Sequence, residues 1–315
     1  MLQYTVGTTI GKGAEKMSVC NLCPRECSVD RAAGELGFCG VGNTLRVARF
    51  APHHWEEPPL SGTKGAGAIF FSGCSLRCVY CQNRELSHAA KGFDVTEDEL
   101  CRIILDLQDA GVHCIDLVTP THYADLLVPV LKKVKPLLKI PVVWNCGGYE
   151  RLETLHMLDG LIEVYLPDFK YASEELSEKY SHAPKYPKIA QTALEEMYRQ
   201  VGSVRFDESG IIKRGVIVRH LVLPGARKDS IAVLDIIAKT VPVKDVRLSL
   251  MSQYTPDFAV DGRFKELNRR ITSFEYNSVL THAEALGFDG YFQDRGSADK
   301  KYTPEFFGED KKRNL

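Results

Sequence analysis

The sequence predicts an α/β protein in which a parallel sheet of about six strands forms a partial or complete β/α barrel. Six short apolar runs alternate with stretches whose apolar residues recur at helical spacing, a rhythm typical of parallel strands joined by crossover helices. The runs are almost continuously apolar, as expected for a sheet covered on both faces. A doubly wound open sheet is the alternative, because periodicity alone does not separate the two architectures.

Each element follows from a local signal. Thr96 and Glu99 form a capping-box pattern that opens a helix, whose apolar stripe is Leu100, Ile103, Ile104 and Leu107. A second stripe on the next helix contains Leu126, Leu127, Val130, Leu131 and Val134. A short strand is predicted at 45–50, before the barrel. Four of the six barrel strands are predicted at 68–73, 114–118, 215–223 and 246–251. The third and fourth strands in chain order are predicted to end at Trp144 and Leu166.

Composition limits the classes of function. Of the 315 residues, 44% are hydrophobic and 26% are charged, as in an ordinary globular protein. The net charge of -1 provides no overall basic field for nucleic acid. No apolar run reaches the roughly 18 residues of a membrane span, and no export signal opens the chain. We therefore expect a cytoplasmic protein with neither a nucleic-acid nor a membrane partner.

The length exceeds what one core usually holds, and the cysteines suggest where the chain divides. Residues 1–60 are predicted to be a Cys-rich, metal-binding N-terminal segment, and residues 61–315 a barrel core with a C-terminal extension. Seven of the ten cysteines lie within the first 81 residues. Without a secretion signal, such cysteines are expected to bind metals rather than to form disulfides.

The strongest motif is SGCSLRCVYCQN, directly after the first predicted barrel strand. Its Cys74, Cys78 and Cys81 have the spacing C-x3-C-x2-C. A cubane iron–sulfur cluster has four cysteine ligands in its full set, so three thiolates leave one iron open for a ligand. A zinc knuckle is the alternative, although it usually pairs two C-x2-C halves. A structural cluster with a fourth ligand elsewhere, such as Cys146, is another.

The motif, with Tyr80 before its last cysteine and β/α repeats after it, resembles the radical S-adenosylmethionine (SAM) superfamily. The block GTKGAGAIFFSGCSLRCVYCQN is similar to the pyruvate formate-lyase activating enzyme-like branch, in particular to its homologues with an N-terminal cysteine motif. The similarity continues through VTPTHY, VVWNCGGYE, LPDFKY, IVRHLVLPG and LMSQYTP.

This resemblance implies a [4Fe-4S] cluster at Cys74, Cys78 and Cys81, whose open iron binds SAM. One electron then cleaves SAM to a 5′-deoxyadenosyl radical that abstracts a hydrogen atom, as in the activases of glycyl-radical enzymes. It further implies an anaerobic oxidoreductase, an electron donor of the flavodoxin or ferredoxin type, and a glycyl-radical enzyme or a peptide as partner.

Polar residues follow the predicted strand ends, on the face where β/α-barrel active sites lie. Lys170 and Arg219 match the basic residues of the family and are candidates to balance the SAM carboxylate. Asp168 is expected to orient Lys170 or to bind the ribose. The resemblance places Tyr80 beside the adenine. The remaining predicted SAM-binding residues are Thr119, Thr121, Asn145 and Gln253.

One segment departs from the family. The activating enzymes carry Gly-Gly-Glu-Pro after the second strand, where this chain has Thr119-Pro120-Thr121-His122. Hydroxyl and backbone acceptors can replace the glutamate in holding the SAM amino group. The substrate and partner of the activases are therefore not carried over with the cofactor.

Four further cysteines, Cys20, Cys23, Cys27 and Cys39, have the spacing C-x2-C-x3-C-x11-C. Four thiolates make a closed site, for which zinc is favoured over a second iron–sulfur cluster or free thiols. Downstream, His53, His54, Glu56 and Glu57 lie close together. They are interpreted as part of a loop over the barrel mouth, the alternative being a substrate contact or an acid–base role.

Two other functions are compatible with the sequence. The same radical chemistry can modify a peptide or a small molecule instead of a glycyl-radical enzyme. A non-catalytic iron–sulfur or zinc sensor or scaffold belongs to a different class, as does a barrel that binds SAM without cleaving it. The three-ligand motif and the polar strand ends favour the enzyme.

Overall fold

The computed structural model describes residues 19–258 and 262–293. The strands in these ranges are β1 Leu45–His53, β2 Ala66–Phe71, β3 Phe93–Val95, β4 Ile115–Val118, β5 Val142–Cys146, β6 Val164–Pro167, β7 Arg205–Phe206, β8 Ile212–Leu221, β9 Arg247–Met251 and β10 Gly290–Phe292.

The α-helices in the same ranges are α1 Pro58–Ser61, α2 Arg84–Ser87, α3 Glu97–Asp109, α4 Ala124–Val134, α5 Leu152–Met157, α6 Glu174–Ser181, α7 Tyr186–Val201, α8 Arg227–Thr240 and α9 Ser273–Ala285. Short 3₁₀ helices lie at Thr121–Tyr123, Lys135–Leu137, Pro256–Phe258 and Lys265–Asn268.

The strands form one sheet in the order β10-β9-β8-β6-β5-β4-β2-β1-β3, and β7 pairs with β8. From β2 to β10 all neighbours along this order are parallel, whereas β1 pairs antiparallel with β2 and β3. The parallel strands β2 and β10 stand far apart in this order, yet Phe70 and Tyr291 line one cavity. The sheet therefore curves into a partial barrel, and the predicted fold class is confirmed.

The six predicted barrel strands are present as β2, β4, β5, β6, β8 and β9. The sequence analysis missed β10, a seventh parallel strand, because its three residues are too few to show a pattern. The strand predicted at 45–50 is β1, which extends to His53 and pairs with β2. The division near residue 60 stays a prediction, and most of the C-terminal extension lies outside the described residues.

Helix α3 begins as the capping box predicts. The Thr96 hydroxyl accepts a hydrogen bond from the Glu99 N–H, and the Glu99 carboxylate accepts one from the Thr96 N–H. All four residues of its predicted stripe are buried against the sheet. Strands β4, β5 and β6 are buried along their whole length, which agrees with helices on the outside and side chains filling the inside. In the described ranges, no helix has the length and apolarity needed to cross a bilayer.

Candidate active site

A cavity of about 630 Å³ lies within the curved sheet, a size typical of small-molecule sites. The loop that carries Cys74, Cys78 and Cys81 forms one part of its wall. Strands β5, β6, β8 and β9, together with the segments that follow them, contribute another part. The residues after β1 and those of β10 line the cavity from the two ends of the curved sheet. The structure thus brings the three-cysteine motif and the polar strand ends to one space.

The three-cysteine loop is held tightly at its start. Gly73 has a positive φ of 85°, a conformation that favours glycine. A Cβ at this position would lie 2.7 Å from the carbonyl oxygen of Cys39. Glycine is therefore required here, both by the turn and by the close approach of the N-terminal segment.

Each motif sulfur accepts one hydrogen bond from its surroundings. The Leu76 N–H donates to Cys74 Sγ at 3.3 Å, the Ser87 hydroxyl to Cys81 Sγ at 3.3 Å, and the Ser181 hydroxyl to Cys78 Sγ at 2.9 Å. Burial raises the pKa of the Cys74 thiol to about 12, so a cation is needed to hold it as a thiolate at neutral pH. Hydrogen bonds to sulfur are one of the means by which proteins set the potential of an iron–sulfur cluster.

The motif cysteines fit a cubane better than a single ion. In the described ranges, no three or more His, Cys, Asp or Glu side chains are placed to hold one metal ion. A cubane does not need such convergence, because each thiolate binds a different iron. Cys146 also lines the cavity, but the charges that act most strongly on it are those of Glu150 and Asp168.

A chain of hydroxyl groups leads from Tyr80 to the cysteines. The hydroxyls of Tyr80 and Tyr171 lie 2.6 Å apart, and that of Tyr171 lies 2.6 Å from Ser181 Oγ, which donates to Cys78. Tyr80 is buried and lines the cavity. Its ring is therefore fixed beside the motif.

We expect Ser181→Ala to lower the midpoint potential of a cluster bound at the motif. The lost O–H···S bond stabilises the more negative, reduced state, so its removal favours the oxidised state by on the order of 50 mV. An EPR-monitored redox titration measures the shift. Ser177→Ala is the matched control, because that hydroxyl donates to the carbonyls of Glu174 and Ala183. Equal potentials in both variants would contradict the role of Ser181.

Two cations and one carboxylate form the centre of the polar wall. Lys170 Nζ donates to Asp168 Oδ2 at 2.6 Å, and Arg219 Nε donates to Asp168 Oδ1 at 2.8 Å. Burial alone would raise the pKa of Asp168, but Arg219 and Lys170 outweigh it and lower that pKa. Likewise, burial would lower the pKa of Lys170, but the Asp168 carboxylate raises it. All three groups are thus charged at neutral pH.

Arg219 extends this row to a second set of acids. Its Nη2 donates to Asn145 Oδ1 at 2.6 Å, and Asn145 Nδ2 donates to Asp116 Oδ2 at 3.2 Å. Its Nη1 lies 3.4 Å from Glu56 Oε2, and its Nε lies 3.9 Å from Glu57 Oε1. Burial, followed by the charges of Asp116 and Glu57, raises the pKa of Glu56 well above its usual value.

The acid Asp116 should make stability fall as the pH rises. Burial raises its pKa from 3.8 to about 7, so between these values the folded protein binds more protons than the unfolded chain, and stability declines with pH. We expect Asp116→Asn to flatten this decline and to add on the order of 2 kcal/mol to stability at pH 8. Chemical denaturation at pH 5 and pH 8 measures it. A residual slope is expected from Glu150, whose pKa burial also raises to about 7, whereas an unchanged slope would contradict the assignment to Asp116.

Most of the predicted SAM-binding residues meet in the cavity. The structure places there Tyr80, Thr119, Asn145, Asp168, Lys170, Arg219 and Gln253. The Thr121 side chain does not line the cavity, because its hydroxyl donates to Glu150 Oε1 at 2.8 Å. Thr119 has a positive φ of 58°, which is uncommon for a β-branched residue and marks a constrained turn after β4.

The N-terminal cysteines lie against the three-cysteine loop. Arg25 donates from Nε to the carbonyl of Ser75 at 2.7 Å and from Nη2 to the carbonyl of Ser181 at 2.9 Å. The charges of Cys20, Cys27 and Cys39 act on Cys23, whose pKa burial raises to about 12. The four thiols are therefore neighbours.

Sequence reasoning missed two buried acids behind this site, Asp116, which accepts from the cavity-lining Asn145, and Glu150, which accepts from Thr121. Asp116 sits in the middle of β4, whose other residues are apolar, and a fully buried acid in such a strand was the available signal. Glu150 is also buried, but its segment gave no comparable signal. Glu56 and Glu57, interpreted as loop residues, line the cavity.

Comparison with known proteins agrees with this site. A family profile described as a 4Fe-4S single cluster domain matches residues 61–178, which include all three motif cysteines. The protein MJ0674 of Methanocaldococcus jannaschii, an uncharacterized protein, is 30% identical over 283 residues, or 86% of this chain and 75% of that protein. The chain belongs to the same family as MJ0674.

Solved structures with similar folds include radical SAM enzymes. A radical SAM methyltransferase from Sphaerobacter thermophilus aligns over 73% of this chain and 67% of its own, with 15% identity and a TM-score of 0.47. Streptococcus suis SuiB bound to S-adenosylmethionine aligns over 70% of this chain at 15% identity, with a TM-score of 0.46. The chain spans about half of SuiB, 47%.

A domain of a pyruvate-formate lyase-activating enzyme from Bacteroides vulgatus is more distant. It aligns over 55% of this chain and 92% of its own, with 11% identity and a TM-score of 0.40. Similarities at this level do not assign a reaction to the chain.

Proposed function

We propose that the chain is a radical SAM enzyme that abstracts a hydrogen atom from its substrate. The observation that carries the proposal is that Cys74, Cys78 and Cys81 line one cavity together with polar and charged side chains that follow the strand ends. When bound, a [4Fe-4S] cluster with one open iron supplies the electron that cleaves SAM to methionine and a 5′-deoxyadenosyl radical. The match to a single-cluster 4Fe-4S domain supports this cofactor.

In this proposal the polar wall holds the other ends of SAM. Lys170 and Arg219 are the cations available for its carboxylate, and the shared Asp168 fixes both of them. Arg219 is suited to this because its planar guanidinium presents several donors at once. Lys170 faces the cysteines, since the charge of Cys78 acts on it. The Lys170 side of the row is therefore the side nearer to the cluster.

Tyr80 is proposed to lie beside the adenine and Asn145, Thr119 and Gln253 to bind polar atoms of SAM. Gln253 accepts a hydrogen bond from Gln293 Nε2 at 3.1 Å, which orients its amide. Thr121 remains a predicted ligand only through its backbone, because its hydroxyl is engaged by Glu150.

The substrate is proposed to be a peptide, a small molecule or the glycyl loop of a partner enzyme, with a flavodoxin- or ferredoxin-type donor providing the electron. Among the described residues, no strand joins β10 to the other end of the sheet, and residues from both of these sides line the cavity; Trp55 among them is 62% exposed. We propose that an extended segment or a small molecule reaches the interior between these two sides.

The four N-terminal thiols are proposed to bind a second metal centre. The charges of Cys20, Cys27 and Cys39 act on Cys23, and this proximity supports the proposal, with zinc or an iron–sulfur cluster as the metal. Arg31 Nη2 donates to Cys39 Sγ, and the Phe38 N–H donates to Cys27 Sγ, each at 3.3 Å. Donors to sulfur of this kind are common around metal-bound thiolates.

The experiment is to incubate anaerobically reconstituted protein with SAM and dithionite and to measure 5′-deoxyadenosine by chromatography. Iron, sulfide and zinc are quantified in the same preparation. We expect product, with at least four irons per chain. A cluster-replete protein that neither binds nor cleaves SAM would overturn the proposal and favour the sensor or scaffold. Binding without cleavage would identify the barrel that no longer cuts SAM.

A further inference from the structure

One end of the cavity is lined by Glu56 and Glu57; these two residues and the buried Asp116, whose charge acts on Glu56, are here called the acidic end. The side chains of Glu56 and Glu57 are only 11% and 8% exposed, and Asp116 is fully buried. The two glutamates line the cavity. Three carboxyl groups are thus gathered in a place shielded from water, where an uncompensated charge is expensive.

The two cations of the site lie closer to Asp168 than to this end. Arg219 makes its closest ion pair with Asp168 at 2.8 Å, and it approaches Glu56 and Glu57 only at 3.4 and 3.9 Å. Asp116 is held by the amide of Asn145. In this network Lys170 and Arg219 face four carboxyl groups, and burial raises the pKa of two of them, Glu56 and Asp116.

Two oxygen atoms in the acidic end have no hydrogen-bond donor. Glu57 Oε2 and Asp116 Oδ1 are both buried, and neither has a partner among the described residues. Buried acceptors are almost always satisfied in folded proteins. The other oxygen of Glu57 lies 3.9 Å from Arg219 Nε, and the side chains of Glu56 and Glu57 are hydrogen-bonded to each other. The free oxygen Oε2, on a side chain that is more than nine-tenths buried and lines the cavity, indicates that its donor arrives with a ligand.

The chemistry of this donor can be narrowed. The aromatic rings of Phe70 and Tyr291 line the same cavity as the two glutamates. A cavity that offers both carboxyl groups and aromatic rings suits an organic cation, because aromatic faces attract cationic nitrogens.

We infer that the acidic end binds an ammonium or guanidinium group of the substrate. This inference rests on the proposed function and narrows its substrate to a molecule or peptide side chain that carries a cationic nitrogen. Arg219 bonds Asp168, to which Lys170 also donates, and it approaches both glutamates of the acidic end. A ligand held by Glu57 therefore lies nearer to Arg219 than to Lys170.

The test measures binding rather than turnover. Reconstituted, SAM-loaded protein is titrated anaerobically by calorimetry with n-butylammonium and methylguanidinium chlorides, and with n-butanol and N-methylurea as the neutral counterparts. We expect at least one cation to bind 10-fold or more tightly than its neutral counterpart, or about 1.4 kcal/mol. The inference would be overturned if neither cation binds with higher affinity than its neutral counterpart.

The variant Glu57→Gln keeps the shape of the side chain and removes its charge. We expect it to weaken cation binding at least 10-fold and to raise the melting temperature of the ligand-free protein, because a repulsive buried charge is lost. Glu208→Gln, an exposed residue after β7, is the matched control and should change neither. If Glu57→Gln binds cations like the wild type, the two glutamates merely share a proton and the inference is wrong.

The outcomes separate the inference from the proposed function. Cleavage of SAM by a protein with no preference for cations removes the acidic end as a substrate site and leaves the radical chemistry intact. A preference for cations in a protein that never cleaves SAM removes the radical chemistry instead.

Discussion

Replacing Cys78 by serine should reduce 5′-deoxyadenosine formation by more than about 100-fold, since changes even in the partners of metal ligands cost 10- to 100-fold. Cys78 is the central cysteine of the motif and is buried, and its sulfur accepts a hydrogen bond from the Ser181 hydroxyl. A serine oxygen in its place is a poor ligand for iron, so two thiolates would be left to hold the cluster. Iron content and the absorbance of the cluster are measured with the product.

Cys146→Ser is the matched control for this experiment, because Cys146 lines the same cavity without belonging to the motif. We expect it to keep both the cluster and the product. If Cys146→Ser loses the cluster together with Cys78→Ser, then Cys146 is a fourth ligand, the site is closed and the open-iron mechanism fails.

The second large effect concerns stability. We expect Arg219→Ala to destabilise the fold by about 3–5 kcal/mol, the usual loss when one partner of a buried ion pair is removed. Its guanidinium bonds Asp168 and Asn145 and is the nearest cation to Glu56. Without it, these carboxyl groups would remain buried with Lys170 as their main counter-charge. Chemical denaturation at pH 8 measures the loss.

Two comparisons sharpen this result. Arg219→Lys keeps the charge but loses the planar fork, so it should recover only part of the stability. Arg46→Ala removes an arginine whose exposed side chain pairs with the exposed Asp94, and surface pairs of this kind contribute little. Equal stabilities of Arg219→Ala and Arg46→Ala would show that the buried row does not stabilise the fold.

The sequence predicted the fold well where the pattern was long. The stripe of α3 recurs at helical spacing, and β4, β5 and β6 are almost continuously apolar, as expected for an amphipathic helix and for strands buried on both faces. The strand β10 has three residues, too few to show either pattern. Its place at the edge of the sheet depends on packing against β9, which a local pattern does not contain.

The site was predictable in its types of residue and less so in its arrangement. The spacing of Cys74, Cys78 and Cys81 is local, so one loop brings them together whatever the rest of the chain does. That Thr121 turns to Glu150 rather than to the cavity depends on a contact across 29 positions. The meeting of Glu57 with Arg219 is likewise set by the curvature of the whole sheet.

The side chain of Arg25 has a consequence for assembly. It lies between the two cysteine groups, with its guanidinium 3.8 Å above the Phe38 ring and bonded to the backbone of Ser75. Because Arg25 contacts both loops, ordering one loop fixes a surface against which the other loop packs. Since such coupling is reciprocal, whatever makes the N-terminal loop more rigid must lower the cost of loading the motif loop by the same free energy.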